Sequence, residues 1–388
     1  MYDFDARYDR RPHNSVKWSF LGECRPGGDE AILPLWVADM DFAVPPAVRA
    51  AVEARAAHPI YGYAGKPAGF YEAFESWMLG RHGLRVERGT ILFSPGIVPG
   101  LSFAVDALTE PGDGVVIQPP VYFPFRQVIE RNGRRVVENP LACRNGRWEI
   151  DFEDLERKAE GAKALILCSP HNPVGRVWTE EELGRLVDIA RRRGLLLVSD
   201  EIHSDLVRPP RRHVPALAFA ETLGGRIVSF HAPSKTFNIA GLQTSYVVIP
   251  DPELRRRFDA EEDRFGLKSP NVFGATAAEA AYREGGPWLE ELLDYVADNE
   301  AFLRAELAKR LPELSMAPME GSFLAWIDFR KALVEGSLHA FLLEKARLWL
   351  DEGSRFGTGG AGWARLNLGC PRSTLAEAID RLESALRS

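Results

Sequence analysis

Between residues 90 and 250, short apolar runs alternate with amphipathic stretches, and no other feature of the chain restricts its fold as tightly. The runs are Ile91–Ser94, Val115–Gln118, Ala164–Cys168, Leu195–Ser199, Ile227–Phe230 and Tyr246–Ile249. Segments 97–109, 123–132, 151–160 and 179–193 between them have helical spacing, and Thr179 followed by glutamates has the form of an N-cap. Near-continuous apolar strands must be covered on both faces, and helices crossing between parallel strands provide that cover. The expected class is α/β, with a mainly parallel sheet sandwiched by helices in a large domain over residues 46–286. Past residue 285 the pattern changes: a long charged helix over 288–311, a strand near 323–327, a helix over 337–350, a strand near 363–368 and a last helix from Ser373. That order suits a smaller α+β domain over 287–388. Residues 1–45 hold one apolar segment, PLWVADMDF, and are expected to pack with the small domain because they have little core of their own. Helices over 46–57 and 70–81 flank a glycine-rich, aromatic loop, PIYGYAGKPAG.

With 388 residues, 45% apolar and 27% charged, the chain has the composition of an ordinary globular protein. A formal net charge of -7 argues against general nucleic-acid binding. The cysteines Cys24, Cys143, Cys168 and Cys370 stand far apart with no CxxC pair, so neither a disulfide framework nor a metal site is expected. The charged start, MYDFDARYDRR, lacks the apolar core of a signal peptide, and no apolar run is long enough to span a membrane. A cytoplasmic protein without nucleic-acid or membrane partners is the expectation.

In parallel sheets, ligands sit beyond the carboxyl ends of the strands. Five unusual positions fall there: Gly96, Tyr122, Asn172 in HNPVG, Asp200 in SDEIH and Lys235 in APSKTFN. Taken singly, each has a plain structural explanation as a turn, a packing ring, a helix cap or a solvated lysine. Their shared placement at one sheet edge favours a ligand, and pyridoxal 5′-phosphate would use them all. Its aldehyde needs an amine, which Lys235 supplies as a Schiff-base anchor. Its ring nitrogen stays protonated beside a fixed, ionised carboxylate, the part given to Asp200. Its phosphate suits the backbone N–H groups of Gly96, Ile97 and Val98, where SPGIVPG opens a helix, with Ser234 adding a hydroxyl. Tyr122 offers a ring for stacking and Asn172 an amide for the ring oxygen. Catalytic work is assigned to Lys235, Asp200 and Tyr122. A substrate α-carboxylate suits Arg365, inside WARLNLGCPR, where apolar neighbours and the lack of a nearby acidic partner argue against a surface ion pair. Asn172 and Ala38 are placed with it on the substrate side.

Together, APSKTFN-x-x-G, SDEIH, HNPVG and RLNLGCPR resemble the fold-type I, pyridoxal-phosphate-dependent class I/II aminotransferase superfamily over nearly the whole chain. NSVKW, LPLWVADMDF and YGY are similar more particularly to its cystathionine β-lyase (C–S lyase) branch. The resemblance implies a seven-stranded sheet in the large domain and a homodimer in which Tyr63 reaches the cofactor phosphate of the neighbouring subunit. It also implies that His203, where many relatives have tyrosine, lies at the cofactor. Gln243 stands where many have a phosphate-binding arginine, which leaves the phosphate one cation short, and Ala232 stands where some have serine. The implied activity is α,β-elimination from L-cystathionine or a related cysteine S-conjugate, giving a thiol, pyruvate and ammonia. An aminotransferase using the same residues is one alternative, and a regulatory role through a protein partner is the other. Trp36, Phe123 and Phe356 are candidate walls of the substrate pocket.

Overall fold

The computed structural model describes residues 2–19, 32–332 and 336–387, so Cys24 lies outside the described residues. Seven strands form the main sheet: β1 (Ile91–Ser94), β2 (Gly114–Ile117), β3 (Arg135–Glu138), β4 (Ala162–Cys168), β5 (Leu196–Asp200), β6 (Ile227–His231) and β7 (Ser245–Val248). Their spatial order is β1-β7-β6-β5-β4-β2-β3. Only β7 runs against its neighbours, and the remaining pairs are parallel. Successive side chains alternate between two cores. Val115, Ile166, Val198 and Val228 pack on one face, and Val116, Leu165, Leu197 and Ile227 pack on the other. This is why the runs read as continuously apolar: every residue of β2, β5, β6 and β7 is buried. Thr179 caps the helix Glu180–Arg193 through a capping box with Glu182, as its sequence foretells.

Three features depart from the sequence reading. Strand β3 was not anticipated, because an edge strand of four residues that begins with an exposed arginine carries little apolar signal. The helices Pro252–Arg264 and Val272–Glu284 were likewise not foreseen, the first being dominated by charge and the second by alanine. The helix expected over 337–350 ends at Lys345. Arg347 has φ 54°, a left-handed conformation that stops helix propagation. The next residues, Leu348–Trp349, form a strand parallel to Leu33–Pro34.

A second, antiparallel sheet contains β8 (Ser315–Met316), β9 (Leu324–Asp328), β10 (Asp351–Glu352) and β11 (Trp363–Asn367), ordered β8-β9-β11-β10. Its register sets Arg365 opposite Asp351 on one side and Trp326 on the other. The amino-terminal segment lies against the helix Gly286–Arg310, where the Phe4 ring sits 5.7 Å from Trp288. Asn367 Nδ2 fastens the following stretch by donating to the carbonyls of Val37 and Asp39. The carboxylates of WVADMDF are consumed structurally. Arg10 bridges Asp39 and Asp41 at 2.6 and 2.7 Å, and buried Lys17 reaches Asp41 at 2.6 Å.

Candidate active site

At the carboxyl ends of the parallel strands a cavity of about 280 Å³ opens. Ala38, Gly96, Ile97, Val98, Tyr122, Asn172, Asp200, His203, Ser234 and Lys235 line it. Five strand ends thus converge, as the topology rule for such sheets requires.

Lys235 sits on a one-turn helix, Pro233–Thr236, directly after β6. Its Nζ donates to the Ala38 carbonyl at 2.7 Å, so Ala38 takes part through its backbone. Burial lowers the amine from 10.5 to about 8, with Asp39 the main opposing charge. A lysine so placed presents a free amine far more often near neutral pH than one in water. Asp200, at the end of β5, is 3% exposed and among the described residues accepts one hydrogen bond, from the Ile202 N–H at 3.1 Å. Burial drives its carboxyl up to about 7. Among the described residues no cation hydrogen-bonds to it.

Gly96 precedes the helix Ile97–Leu108 with φ 129°, a conformation that a residue with a Cβ adopts only under strain. The first-turn N–H groups of that helix face the cavity with the positive end of its dipole. Tyr122 is packed against Phe125, and burial pushes its phenol up to about 12, so it stays a neutral ring. His203 is also held neutral, lowered to about 3 by burial and then by Lys235 and Arg365, and its Nδ1 lies 3.2 Å from Ser322 Oγ.

Arg365, 3% exposed on β11, donates through Nη1 to Asn172 Oδ1 at 2.9 Å and through Nη2 to the Trp36 carbonyl at 2.9 Å. It also forms an ion pair with Asp351, which corrects the expectation that no acidic partner is near. Asp351 is fourteen positions earlier in sequence, and the β10–β11 register brings it alongside. Arg365 Nε is buried without a partner among the described residues, a donor held in reserve. With Asn172 Oδ1 turned to the arginine, the Asn172 amide nitrogen is left to donate into the cavity. Trp36 stacks on Trp349 at 4.1 Å.

Behind this cavity lies a polar layer that the motifs alone did not mark. Fully buried Glu201 accepts from Ser199 and Ser229 hydroxyls and the Ala216 N–H, and pairs with His213 at 2.6 Å. Asp205 accepts from Trp77 Nε1 at 2.9 Å and from the Thr236 hydroxyl at 2.8 Å, and pairs with His82 at 2.8 Å. Burial opposes both carboxylates, yet these donors more than offset it and hold each at about 2. Glu201 adjoins Asp200, and Thr236 adjoins Lys235, so this layer fixes the backbone under both groups. The signal was present in SDEIHSD, where three carboxylates sit within six residues of a buried strand end.

Tyr63 is absent from the cavity and lies fully exposed on the loop after the helix Pro46–Ala57. Gln243 is exposed with φ 46°, beyond the cavity lining. Among the described residues no cluster of His, Cys, Asp or Glu is arranged to hold a metal, and no helix is long and apolar enough to cross a membrane.

Residues 31–382 match the family described as aminotransferase class I and II. Cystathionine beta-lyase PatB of Bacillus subtilis is 44% identical over 387 residues, covering 99% of this chain and 100% of that protein. The chain belongs to the class I and II aminotransferase family, in its C–S lyase branch. Among solved structures of this family, cystalysin from Treponema denticola, which contains a pyridoxal 5′-phosphate cofactor, superposes with a TM-score of 0.96 at 36% identity, over 100% of this chain and 99% of that one. A pyridoxal-phosphate-bound C–S lyase from Staphylococcus hominis gives 0.92 at 32% identity, with 100% and 99% covered. The cavity of this family member fits the same cofactor on its own terms. It holds a desolvated amine for an aldehyde, a buried carboxyl lacking a cation for a ring nitrogen, and an open helix N-terminus for a phosphate.

Proposed function

We propose that this chain is a pyridoxal 5′-phosphate-dependent C–S β-lyase that cleaves L-cystathionine or a related cysteine S-conjugate to a thiol, pyruvate and ammonia. The observation that carries this reading is that Lys235 and Asp200 line one cavity, with Arg365 bonded to Asn172 of the same lining. Full-length likeness to a cystathionine β-lyase supports elimination over amino transfer. Lys235, Asn172, Tyr122, Ser234 and the N–H groups of Gly96, Ile97 and Val98 would hold the cofactor, with His203 beside them. When bound, the cofactor supplies an electron sink for the pair left at Cα of the substrate.

The residues then divide the remaining work. Arg365 grips the α-carboxylate bidentately and fixes the amino acid so that its Cα–H bond faces Lys235. Lys235 Nζ, with its lowered proton affinity, removes the Cα proton. Asp200 keeps the proton on the ring nitrogen. As the Cβ–S bond breaks, the Lys235 ammonium passes its proton to the departing sulfur, and the enamine product hydrolyses to pyruvate and ammonia. Replacing Arg365 by lysine, which cannot bind two oxygens in one plane, is expected to lower kcat/KM by roughly 10²-fold, mostly through KM. Steady-state kinetics with the Arg365→Lys enzyme checks it.

The deciding experiment supplies L-cystathionine to the holoenzyme without any 2-oxo acid. Sustained release of pyruvate, ammonia and homocysteine is the expected result. One stoichiometric conversion that leaves the aminated cofactor would instead make the protein an aminotransferase.

The same reading includes a homodimer. Tyr63, Tyr61 and Ile60 expose large apolar surface on one loop, which suits burial against a second copy, with Tyr63 directed to the partner's cofactor phosphate. Light scattering that gave a monomer at working concentration would remove this part. The division at residues 46, 286 and 287 into amino-terminal segment, large domain and small domain belongs to the proposal. So does a cytoplasmic location, which the unpaired Cys143, Cys168 and Cys370 suit.

A further inference from the structure

Beyond Tyr122 lies a second cavity, of about 300 Å³, that the chemistry above leaves unused. Tyr122 borders both cavities. The second is walled by Phe123 and Phe356 and carries Arg126, Glu138 and Arg355. Phe356 stands between this space and Arg365. Its ring lies 5.0 Å from the Arg365 guanidinium and 6.1 Å from the Phe123 ring. A substrate held by Arg365 therefore has an aromatic-walled space one ring away from its α-carboxylate.

The charged groups in this space are not equivalent. Arg126 is taken up by Glu130 and Glu138. Glu138 has both oxygens engaged, one by Arg126 and the other by the Thr358 hydroxyl at 2.6 Å. Asp351 likewise has each oxygen bound by a guanidinium, Arg355 at 2.6 Å and Arg365. Arg355 differs. Its guanidinium lies 4.6 Å over the Phe123 ring, its side chain is 42% exposed, and only Nη1 is engaged among the described residues. Its other N–H groups are left to donate into the cavity, whereas the one carboxylate in the lining, Glu138, already shares its charge with Arg126 and so offers an ammonium less than Arg355 offers a carboxylate.

We propose that the second cavity receives the S-substituent of the conjugate and that Arg355 binds a carboxylate at its far end, selecting dicarboxylic conjugates over those ending in an alkyl or amino group. This rests on the lyase reading and names its substrate class. Asp351 links the two guanidiniums, so one carboxylate spaces the grips for the near and far ends of the substrate.

The test compares S-(2-carboxyethyl)-, S-propyl- and S-(2-aminoethyl)-L-cysteine with the wild-type holoenzyme, Arg355→Ala and Arg355→Lys. Pyruvate release gives kcat/KM, and the absorbance change of the bound cofactor on mixing gives an apparent Kd. Arg355→Ala is expected to lower the carboxyethyl/propyl ratio of kcat/KM roughly tenfold or more, chiefly through KM, with a matching change in the Kd ratio. The aminoethyl/propyl ratio should hold or rise, and Arg355→Lys should restore part of the carboxyethyl preference. Equal losses on all three conjugates would overturn the proposal, since Arg355 would then act only through Asp351 and Arg365. Unchanged ratios would overturn it as well. If the wild type released no pyruvate from any conjugate, the lyase reading would fail on its own, and the Kd ratios would still decide the selectivity.

Discussion

The Lys235→Ala enzyme is expected to release pyruvate from L-cystathionine at least about 10³-fold more slowly than wild type, because the variant loses both the anchor amine and the base at Cα. Its fold should be retained. Lys235 contributes one hydrogen bond, to the Ala38 carbonyl, and its ammonium form is disfavoured by burial in the cofactor-free chain. The melting temperature of the cofactor-free variant should therefore equal or slightly exceed that of wild type. The visible absorbance that a lysine-bound cofactor gives should be missing after dialysis. A variant that kept about a tenth of the turnover, or retained the absorbance, would take Lys235 out of both roles.

Asp200→Asn should separate catalysis from stability. With the cofactor bound, loss of the carboxylate removes the partner of the ring nitrogen, and kcat should fall by roughly 10²–10³-fold. Without the cofactor, the sign reverses. The native carboxyl titrates near 7, above its ordinary 3.8, so between those values the folded chain binds more protons than the unfolded one and stability falls as pH rises. The penalty, complete above about pH 7, is on the order of 4 kcal/mol. Cofactor-free Asp200→Asn should melt higher than wild type at pH 8, and the difference should vanish near pH 4. Thermal melts of both proteins across that range measure it, and a gap independent of pH would show that another group carries the effect.

Much of this site was legible because its residues sit at strand ends marked by apolar runs. Lys235, Asp200, Asn172, Tyr122 and Gly96 each follow such a run, and the sheet topology alone brings them together. What escaped depended on pairing between segments distant in sequence. Asp351 was invisible as a partner of Arg365 because β10 is two residues long and its register against β11 has no local signature. The role of Ala38 is carried by a carbonyl, which side-chain identity does not reveal. Asp205 and Glu201 stood in plain view, but their importance came from donors on other elements, Trp77, His82, His213 and Thr236. Strand β3 and the alanine-rich helix Val272–Glu284 were missed for a different reason. An edge position in the first and small side chains in the second weaken the periodic contrast on which such readings rest.

The bonds that close this cavity belong to the groups that must later hold its guests. The two Nη atoms of Arg365 are engaged by Asn172, the Trp36 carbonyl and Asp351, and Lys235 Nζ by the Ala38 carbonyl. Occupation is therefore an exchange of partners, with internal contacts released as external ones form, so the net affinity reflects a difference between two well-bonded states. The same exchange loosens the stretch around Ala38 at the moment Lys235 turns to other work. A protein built this way keeps its reactive amine and its carboxylate grip oriented before anything arrives, and it gives up those internal ties only to a molecule able to replace both.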